Sequence, residues 1–222
     1  MTMFKTVAIS SGHGSKIAGA IGPEPWGLVE VTEARRVTDQ IAAVLEQLGV
    51  EVDVFHDNVS TNVSDNVSAI AKWHNEACAS LNLSVHFNAH SVTESPRGCE
   101  VLYKEDAELA AALSAAIAEA GLFIDRGPKY RDDLSVLNKV TGAPMLMIET
   151  CFVDSHADAD AYRAAFEGIC EAVAHLIADA GTPETAKAKS PAVKIAIEVA
   201  DTADIHLTVN GLDVFLGTSD AD

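Results

Sequence analysis

The feature that most constrains the fold of this chain is the alternation of short β-rich runs with longer helical patterns. Five mostly apolar runs predict strands at Lys5–Ser10, Val50–Phe55, Leu83–Phe87, Cys99–Tyr103 and Met145–Glu149. Strands that alternate with helices are usually joined by crossovers, and crossovers make neighbouring strands parallel. The sequence therefore predicts an α/β fold with a largely parallel sheet.

Four stretches between and after these strands carry apolar residues at helical spacing. The first helix is expected to begin at an N-cap, Thr32, and to end at Gly49. The other three have these approximate bounds: from Ser64 onward, Asp106–Ala120 and Ser155–Ala180. With 222 residues, the chain has room for one sizeable domain and a small appendage.

The composition changes after residue 180. Residues 181–191 are polar and contain prolines, which predicts a linker. Three alternating runs beyond it predict short strands at Ala192–Ile197, Asp204–Val209 and Leu212–Leu216, with a tight turn at Asn210-Gly211. We therefore predict a main domain over residues 1–180, a linker over 181–191 and a β-rich tail over 192–222. Because three short strands are marginal alone, the tail is expected to dock on the main domain, on a second copy in a homo-oligomer, or on a partner.

The charge of the chain excludes several kinds of partner. The formal net charge is −18, from 33 acidic and 15 basic residues. Binding to nucleic acid or to anionic membranes depends on Lys and Arg, so neither is an expected partner. The sequence lacks an apolar stretch of the roughly 18 to 20 residues that a membrane helix needs, and its first residues lack a signal-peptide core. These features predict a soluble chain made in the cytoplasm without a signal peptide.

The four cysteines, Cys78, Cys99, Cys151 and Cys170, lie far apart and form no C-x-x-C pair. This spacing argues against a cysteine-rich zinc knuckle or a thioredoxin-type site. We expect buried free thiols.

Two candidate functional side chains, those of His13 and Glu30, lie in the first 30 residues. Glycines flank His13 directly after the first predicted strand, so the backbone can turn sharply there and expose the imidazole. Glu30 lies just before the first predicted helix. Each has a simpler interpretation as well: His13 could be a structural histidine, and Glu30 could be a solvated carboxylate near a helix N-terminus.

Two further candidates end predicted strands. His86 ends an otherwise apolar strand, where an imidazole is costly to bury without a partner and is also a common metal ligand. Glu149 ends an uncharged run, so partial burial should raise its pKa toward the range that suits general acid–base catalysis. A structural glutamate there would need a partner.

Together these residues supply two histidines, one glutamate and a further glutamate from separate turns. Catalytic zinc commonly uses two histidines and one glutamate and leaves a position open for water. The spacing matches no short zinc motif such as H-E-x-x-H. The residues alone therefore leave a zinc hydrolase as one interpretation beside separate structural roles.

At these residues the chain resembles the zinc-dependent N-acetylmuramoyl-L-alanine amidase family, which includes bacterial autolysins and phage endolysins. The resemblance covers about residues 7–180. The matching motifs, in chain order, are Gly12-His13-Gly14, Gly27-Leu28-Val29-Glu30, Ser84-Val85-His86-Phe87-Asn88-Ala89, Arg97-Gly98-Cys99-Glu100-Val101 and Met145-Leu146-Met147-Ile148-Glu149.

The resemblance implies a mixed, mostly parallel sheet flanked by helices. It implies that Zn²⁺ is held by His13, Glu30 and His86, and that Glu149 is the catalytic carboxylate. The implied reaction is hydrolysis of the amide that joins N-acetylmuramic acid to L-alanine in bacterial peptidoglycan. Asn88 is a candidate substrate-binding residue, with bracing of the turn as its alternative role.

The chain also departs from what the resemblance implies. Cys151 takes the place of a small residue that often follows the catalytic glutamate. The tail is acidic, with six carboxylates against Lys194 from Ser190 onward, so we expect homo-oligomerisation or internal docking rather than attachment to an anionic wall. Without an export signal, the resemblance favours a bacteriolytic endolysin, which reaches the wall after phage or prophage lysis.

Two other functions remain open at the level of sequence. One is a catalytically silent peptidoglycan-binding protein, against which the four intact site residues argue. The other is a zinc exopeptidase that acts on a free peptide and needs a charged partner for the peptide terminus. Four basic residues are candidates for pairing with a terminal carboxylate: Arg97, Arg126, Lys129 and Arg131.

Overall fold

The computed structural model describes residues 4–179 and three strands at residues 195–199, 205–209 and 212–215. The chain divides into two compact units, Met1–Pro183 and Glu184–Asp222. The predicted linker over residues 181–191 lies outside the described residues, so the proposed domain boundaries stay a prediction.

The first unit contains a six-stranded sheet in the order β2-β1-β3-β6-β4-β5. Its strands are β1 (Thr6–Gly14), β2 (Glu51–Asp57), β3 (Leu81–Asn88), β4 (Cys99–Tyr103), β5 (Asp125–Tyr130) and β6 (Met145–Phe152). Neighbours in the sheet are parallel except β4 and β6, which are antiparallel. The predicted α/β fold with a mixed, mostly parallel sheet is therefore confirmed.

Five helices cover the two faces of this sheet: α1 (Glu30–Gln47), α2 (Val63–Ala77), α3 (Ala107–Gly121), α4 (Ser135–Lys139) and α5 (His156–Asp179). Helices α1, α3 and α5 pack with Ile9, Leu83 and Ile148 in the larger core. Helices α2 and α4 pack with Met145 and Met147 in a smaller core. Because side chains alternate along a strand, each central strand supplies residues to both layers.

The predicted start of the first helix was wrong. The helix begins at Glu30, with Val29 in the cap position and no side-chain cap, and Thr32 lies in its first turn. The preceding loop replaces the cap, because the carbonyls of Ala20 and Ala18 accept hydrogen bonds from the amides of Glu30 and Val31. Backbone contacts of this kind leave no signature in the sequence.

The second unit contains an antiparallel sheet of three strands, β7 (Ile195–Val199), β8 (Ile205–Val209) and β9 (Leu212–Phe215). They correspond to the three short strands predicted near the C-terminus. The predicted turn at Asn210-Gly211 lies outside the described residues. Within the described part of the chain, no helix has both the length and the apolar character needed to cross a membrane.

Candidate active site

Three of the predicted site residues converge at the carboxyl ends of the central parallel strands. His13 lies near the end of β1, His86 lies near the end of β3, and Glu30 begins α1. One potential ligand atom from each lies within 4.8 Å of the other two. Glu30 bridges the histidines, because its Oε2 lies 3.0 Å from His13 Nε2 and its Oε1 lies 3.0 Å from His86 Nδ1. We call these three side chains the ligand cluster.

The glycine before His13 is required by the packing of the cluster. A Cβ on Gly12 would lie 2.2 Å from Cε1 of His86, so only glycine lets the imidazole lie against this part of β1. His13 itself adopts a φ of 62°, a left-handed conformation that is uncommon for non-glycine residues. Such backbone conformations concentrate at functional sites.

Glu30 is held as a charged carboxylate. Its residue is only 4% exposed, and its two oxygens accept hydrogen bonds from the backbone amides of Ala20 at 2.7 Å and Phe87 at 3.2 Å. Burial raises the pKa of Glu30, but hydrogen bonds with His13 and His86 outweigh it and place the pKa well below its ordinary value. The cluster therefore has a negative centre between two imidazoles.

Glu149 lies on β6, directly beside His86 in the strand register. Burial raises the pKa of Glu149 well above its ordinary value, and the charges of Glu30 and Glu100 raise it further against the opposing effect of Arg131. Its Oε2 is buried and has no hydrogen-bond partner among the described residues. An unpaired buried carboxylate oxygen is costly, so the site is built for a further polar group at this position.

The donors of the ligand cluster suit Zn²⁺. Two imidazoles and one carboxylate form the set that catalytic zinc sites commonly use. Glu30 is already charged, and the ligand atoms are close enough to share one cation. The unpartnered oxygen of Glu149 belongs to the residue beside His86 in the strand register.

A cavity of about 380 Å³ opens beside the cluster. His13, Glu30, His86 and Glu149 form its polar end. Its other wall is largely apolar and comes mainly from α2, α4 and the sheet, with side chains that include Val67, Ile70, Leu102, Val136 and Met147. The cavity can therefore take a ligand with both polar and apolar parts.

Asn88 lines the cavity, but both of its polar groups already have partners within the chain. Its amide donates to Glu100 Oε1 at 2.9 Å, and its Oδ1 accepts from the amide of Ala89 at 2.8 Å. These contacts favour the bracing role, and substrate binding by Asn88 stays a prediction.

Glu100 is a site residue that the sequence reasoning did not single out. It lies opposite Glu149 in the register of β4 and β6, and Arg126 donates to its Oε2 at 2.7 Å. Glu100 is part of the Arg97–Val101 motif noted in the sequence. The spacing of residues along the chain could not predict, however, that β4 lies antiparallel beside β6.

One of the four basic candidates for a substrate carboxylate, Arg131, lines the cavity. Its guanidinium pairs with Asp133 through contacts of 2.7 and 2.9 Å. Arg126 is paired with Glu100. The structure thus brings Arg131 to the site already paired with a carboxylate.

The expectation of buried thiols is confirmed for three cysteines, Cys99, Cys151 and Cys170. It is wrong for Cys78, which is exposed. Cys78 caps the C-terminal end of α2 in a left-handed conformation, where the chain leaves the packed face of the helix.

Comparisons with known proteins show that the sequence and the fold are similar to those of amidases. A sequence family described as N-acetylmuramoyl-L-alanine amidase matches residues 7–180. The amidase AmiC2 of Nostoc punctiforme is 27% identical, with a TM-score of 0.65 over 78% of this chain and 94% of its own. The catalytic domain of the amidase CwlV from Bacillus (Paenibacillus) polymyxa is 25% identical, with a TM-score of 0.61 over 83% of this chain and 99% of its own.

The catalytic domain of CD27L, an endolysin targeting Clostridia difficile, shares the fold. It is 22% identical, with a TM-score of 0.69 over 78% of this chain and 96% of its own. No curated protein matches the sequence significantly.

Proposed function

Because the chain belongs to the N-acetylmuramoyl-L-alanine amidase family, we propose that it is a zinc-dependent peptidoglycan amidase that acts as an endolysin. The bond cleaved is the amide between N-acetylmuramic acid and the L-alanine of the stem peptide. One observation carries the proposal: a buried, unpartnered oxygen of Glu149 lies next to the ligand cluster, inside the region that matches the family.

The residues that would hold the metal are His13, Glu30 and His86. Zinc, when bound there, lowers the pKa of water and stabilises the negative charge that develops on the scissile carbonyl oxygen. Glu30 supplies the negative charge that favours a cation at this position. The backbone amides of Ala20 and Phe87 fix the orientation of its carboxylate.

Glu149 is the proposed general base and then general acid. Burial raises the pKa of Glu149 above its ordinary value, which favours a carboxyl group that both accepts and returns a proton. The carboxylate takes a proton from the attacking water and later gives it to the leaving amine of L-alanine.

The endolysin role extends the proposal from the reaction to its setting. We propose that the enzyme reaches the wall after release from the cytoplasm of a lysing host. This extension rests on the resemblance of the site motifs to those of lytic amidases and on the fold shared with the catalytic domain of the CD27L endolysin.

The test compares the wild type with Glu149→Gln on purified peptidoglycan. New N-terminal alanine and new reducing sugar ends are measured separately, and bound zinc is measured alongside. We expect alanine ends without reducing ends from the wild type. Glu149→Gln should bind zinc normally but release alanine ends at least about 10²-fold more slowly, because general acid–base catalysis is lost.

The control variant is Glu171→Gln, since Glu171 is an exposed carboxylate on α5 and its loss should leave the rate unchanged. Zinc binding without new alanine ends would contradict the amidase and point to a silent wall-binding protein. New ends on free peptides alone would point to an exopeptidase. Loss of turbidity from permeabilised cells treated with the wild type, but not with Glu149→Gln, tests the endolysin role.

A further inference from the structure

A row of buried polar side chains lies beneath the ligand cluster, in the layer between the sheet and α2. It consists of Asn82 and Ser84 on β3, Ser10 on β1 and His74 on α2, and each is at most 2% exposed. Alternation along β3 sends Leu83 and Val85 into the larger core, and Asn82, Ser84 and His86 to the opposite face. Polar groups in such a layer are costly unless they are hydrogen-bonded to one another.

These side chains form one continuous series of hydrogen bonds that ends at His86. His74 Nδ1 lies 3.0 Å from Asn82 Oδ1, and His74 Nε2 lies 2.9 Å from the hydroxyl of Ser10. The hydroxyls of Ser10 and Ser84 lie 3.3 Å apart. The hydroxyl of Ser84 lies 3.1 Å from His86 Nε2. We call this series the serine–histidine relay.

Asn82, at the end of the relay away from His86, determines which atoms donate and which accept along the series of hydrogen bonds. Its Nδ2 faces the carbonyl oxygen of Pro144 at 3.5 Å, and a carbonyl can only accept. The other side-chain atom, Oδ1, therefore faces His74 and accepts a hydrogen bond from Nδ1–H. Burial lowers the pKa of His74 to about 4, so the ring is neutral near pH 7 and its Nε2 carries a lone pair.

The same order of donors and acceptors continues through both serines. Since His74 Nε2 is an acceptor, the single hydroxyl hydrogen of Ser10 must donate to it. The hydroxyl oxygens of Ser10 and Ser84 lie 3.3 Å apart. Because the hydrogen of Ser10 is directed at His74 and hydroxyl hydrogens rotate, the hydrogen between the two serines comes from Ser84. With its hydrogen committed to Ser10, Ser84 can only accept from His86, so Nε2 of His86 must carry a proton.

We propose that the serine–histidine relay holds His86 in the Nε2–H tautomer and thereby makes Nδ1 its metal-binding nitrogen. Nδ1 lies 3.0 Å from Glu30 Oε1 inside the ligand cluster, and a metal ion bound there would take the place of the proton in this contact. Ser84, Ser10, His74 and Asn82 are positioning residues: they touch neither substrate nor metal and act through His86. Hydrogen bonds to the distal nitrogen of a ligating histidine orient its ring and make it a better ligand.

The inference rests on the proposed zinc site, and the experiment separates the two. Long-range ¹H–¹⁵N correlation spectra of the ¹⁵N-labelled, zinc-loaded wild type report which ring nitrogens carry protons. We expect His86 with a proton on Nε2 and zinc on Nδ1, and His74 with a proton on Nδ1. A proton on Nε2 of His74, or on Nδ1 of His86, would overturn the relay even if zinc binds stoichiometrically.

The second measurement is zinc affinity, by competition with a chelator, in Ser84→Ala. We expect an affinity about 10-fold to 100-fold below that of the wild type, because His86 loses its orienting acceptor. Ser114→Ala is the matched control, since Ser114 is also a fully buried serine with a hydroxyl hydrogen bond, to Asp125, but lies on α3. Its affinity should equal that of the wild type.

Equal zinc affinity in Ser84→Ala and Ser114→Ala would show that the relay does not influence metal binding. This result would overturn the inference but leave the proposed zinc site standing. A wild type that binds no zinc would overturn the proposed metal site together with the inference. Stoichiometric zinc, the expected tautomers and a loss of affinity confined to Ser84→Ala would support both.

Discussion

Glu30 and Glu149 lie at the same end of the sheet, yet their surroundings shift their pKa values in opposite directions. Glu30 accepts from two backbone amides and contacts two histidines, which stabilise its charge. Glu149 has a buried oxygen without a partner and lies near the charges of Glu30 and Glu100, which disfavour its ionisation. Two carboxyl groups whose environments separate their pKa values are typical of a ligand and a proton-transfer group.

His74 gives a residue-scale prediction about stability and pH. Its folded-state pKa of about 4 lies below the ordinary value of 6.5, so the unfolded chain binds the extra proton between these values. Stability is therefore complete above about pH 6.5 and falls as the pH decreases toward 4. Between pH 7 and pH 5 the loss attributable to His74 should be about 2 kcal/mol.

Urea unfolding of the zinc-free wild type and His74→Gln at pH 7 and pH 5 measures this loss. Since glutamine does not titrate in this range, the variant should lose about 2 kcal/mol less than the wild type over the same pH interval. Parallel losses in the two proteins would show that folding does not lower the pKa of His74.

At the residue scale, the sequence singled out a histidine between two glycines, a glutamate before a helix, and residues that end strands. His13, Glu30 and His86 are brought together as that reasoning expected, because carboxyl ends of parallel strands meet at one edge of the sheet. The sequence patterns did not single out His74 or Glu100. Their roles depend on the side of the sheet that α2 covers and on the strand that β4 joins, which no local pattern specifies.

At the scale of elements, Asp158 joins three parts of the fold. It lies in the first turn of α5, is 1% exposed, and accepts hydrogen bonds from the amides of Arg97, Gly98 and Phe152. These amides belong to the approach to β4 and to the end of β6. One buried carboxylate therefore sets the position of α5 against the antiparallel pair of strands.

Asp158→Asn should lower the free energy of unfolding by about 2 kcal/mol. The amide keeps one accepting oxygen, so at least one buried backbone N–H loses its charged acceptor. Asp160→Asn is the control, because the Asp160 side chain on the same helix is 66% exposed. Chemical denaturation of both variants measures the difference, and equal stabilities would contradict the role assigned to Asp158.

The elements that the sequence predicted were those with a clear apolar period. All five strands predicted for the main domain are present, and Cys99–Tyr103 has its predicted bounds. The missed elements are β5, whose sequence DRGPKY contains glycine and proline and is largely exposed, and α4, which has five residues. An edge strand and a single helical turn bury too little apolar surface to leave a pattern.

At the scale of the whole molecule, the net charge of −18 repels any anionic surface, including an anionic cell wall. The resulting repulsion acts over the Debye length, which shrinks from about 30 Å at 0.01 M salt to about 8 Å at 0.15 M. Long-range electrostatic attraction to an anionic wall is therefore not expected, and binding would depend on short-range contacts.

Binding to intact walls should strengthen as NaCl rises from about 10 mM to about 150 mM, because salt screens this repulsion. Sedimentation of catalytically inactive Glu149→Gln with the walls measures the bound fraction without digestion. Walls stripped of their anionic polymers should show a smaller change. Binding that weakens with added salt would instead indicate a local basic surface that the net charge conceals.

The ligand cluster draws its side chains from the end of β1, the start of α1 and the end of β3. A cation held there would join segments that are far apart along the chain, and because it would bind the folded chain in preference to the unfolded one, it would stabilise the fold. Metal supply would then set the lifetime of the folded protein as well as its activity. Removal of the proposed zinc would therefore take away the catalytic metal and destabilise the fold at the same time.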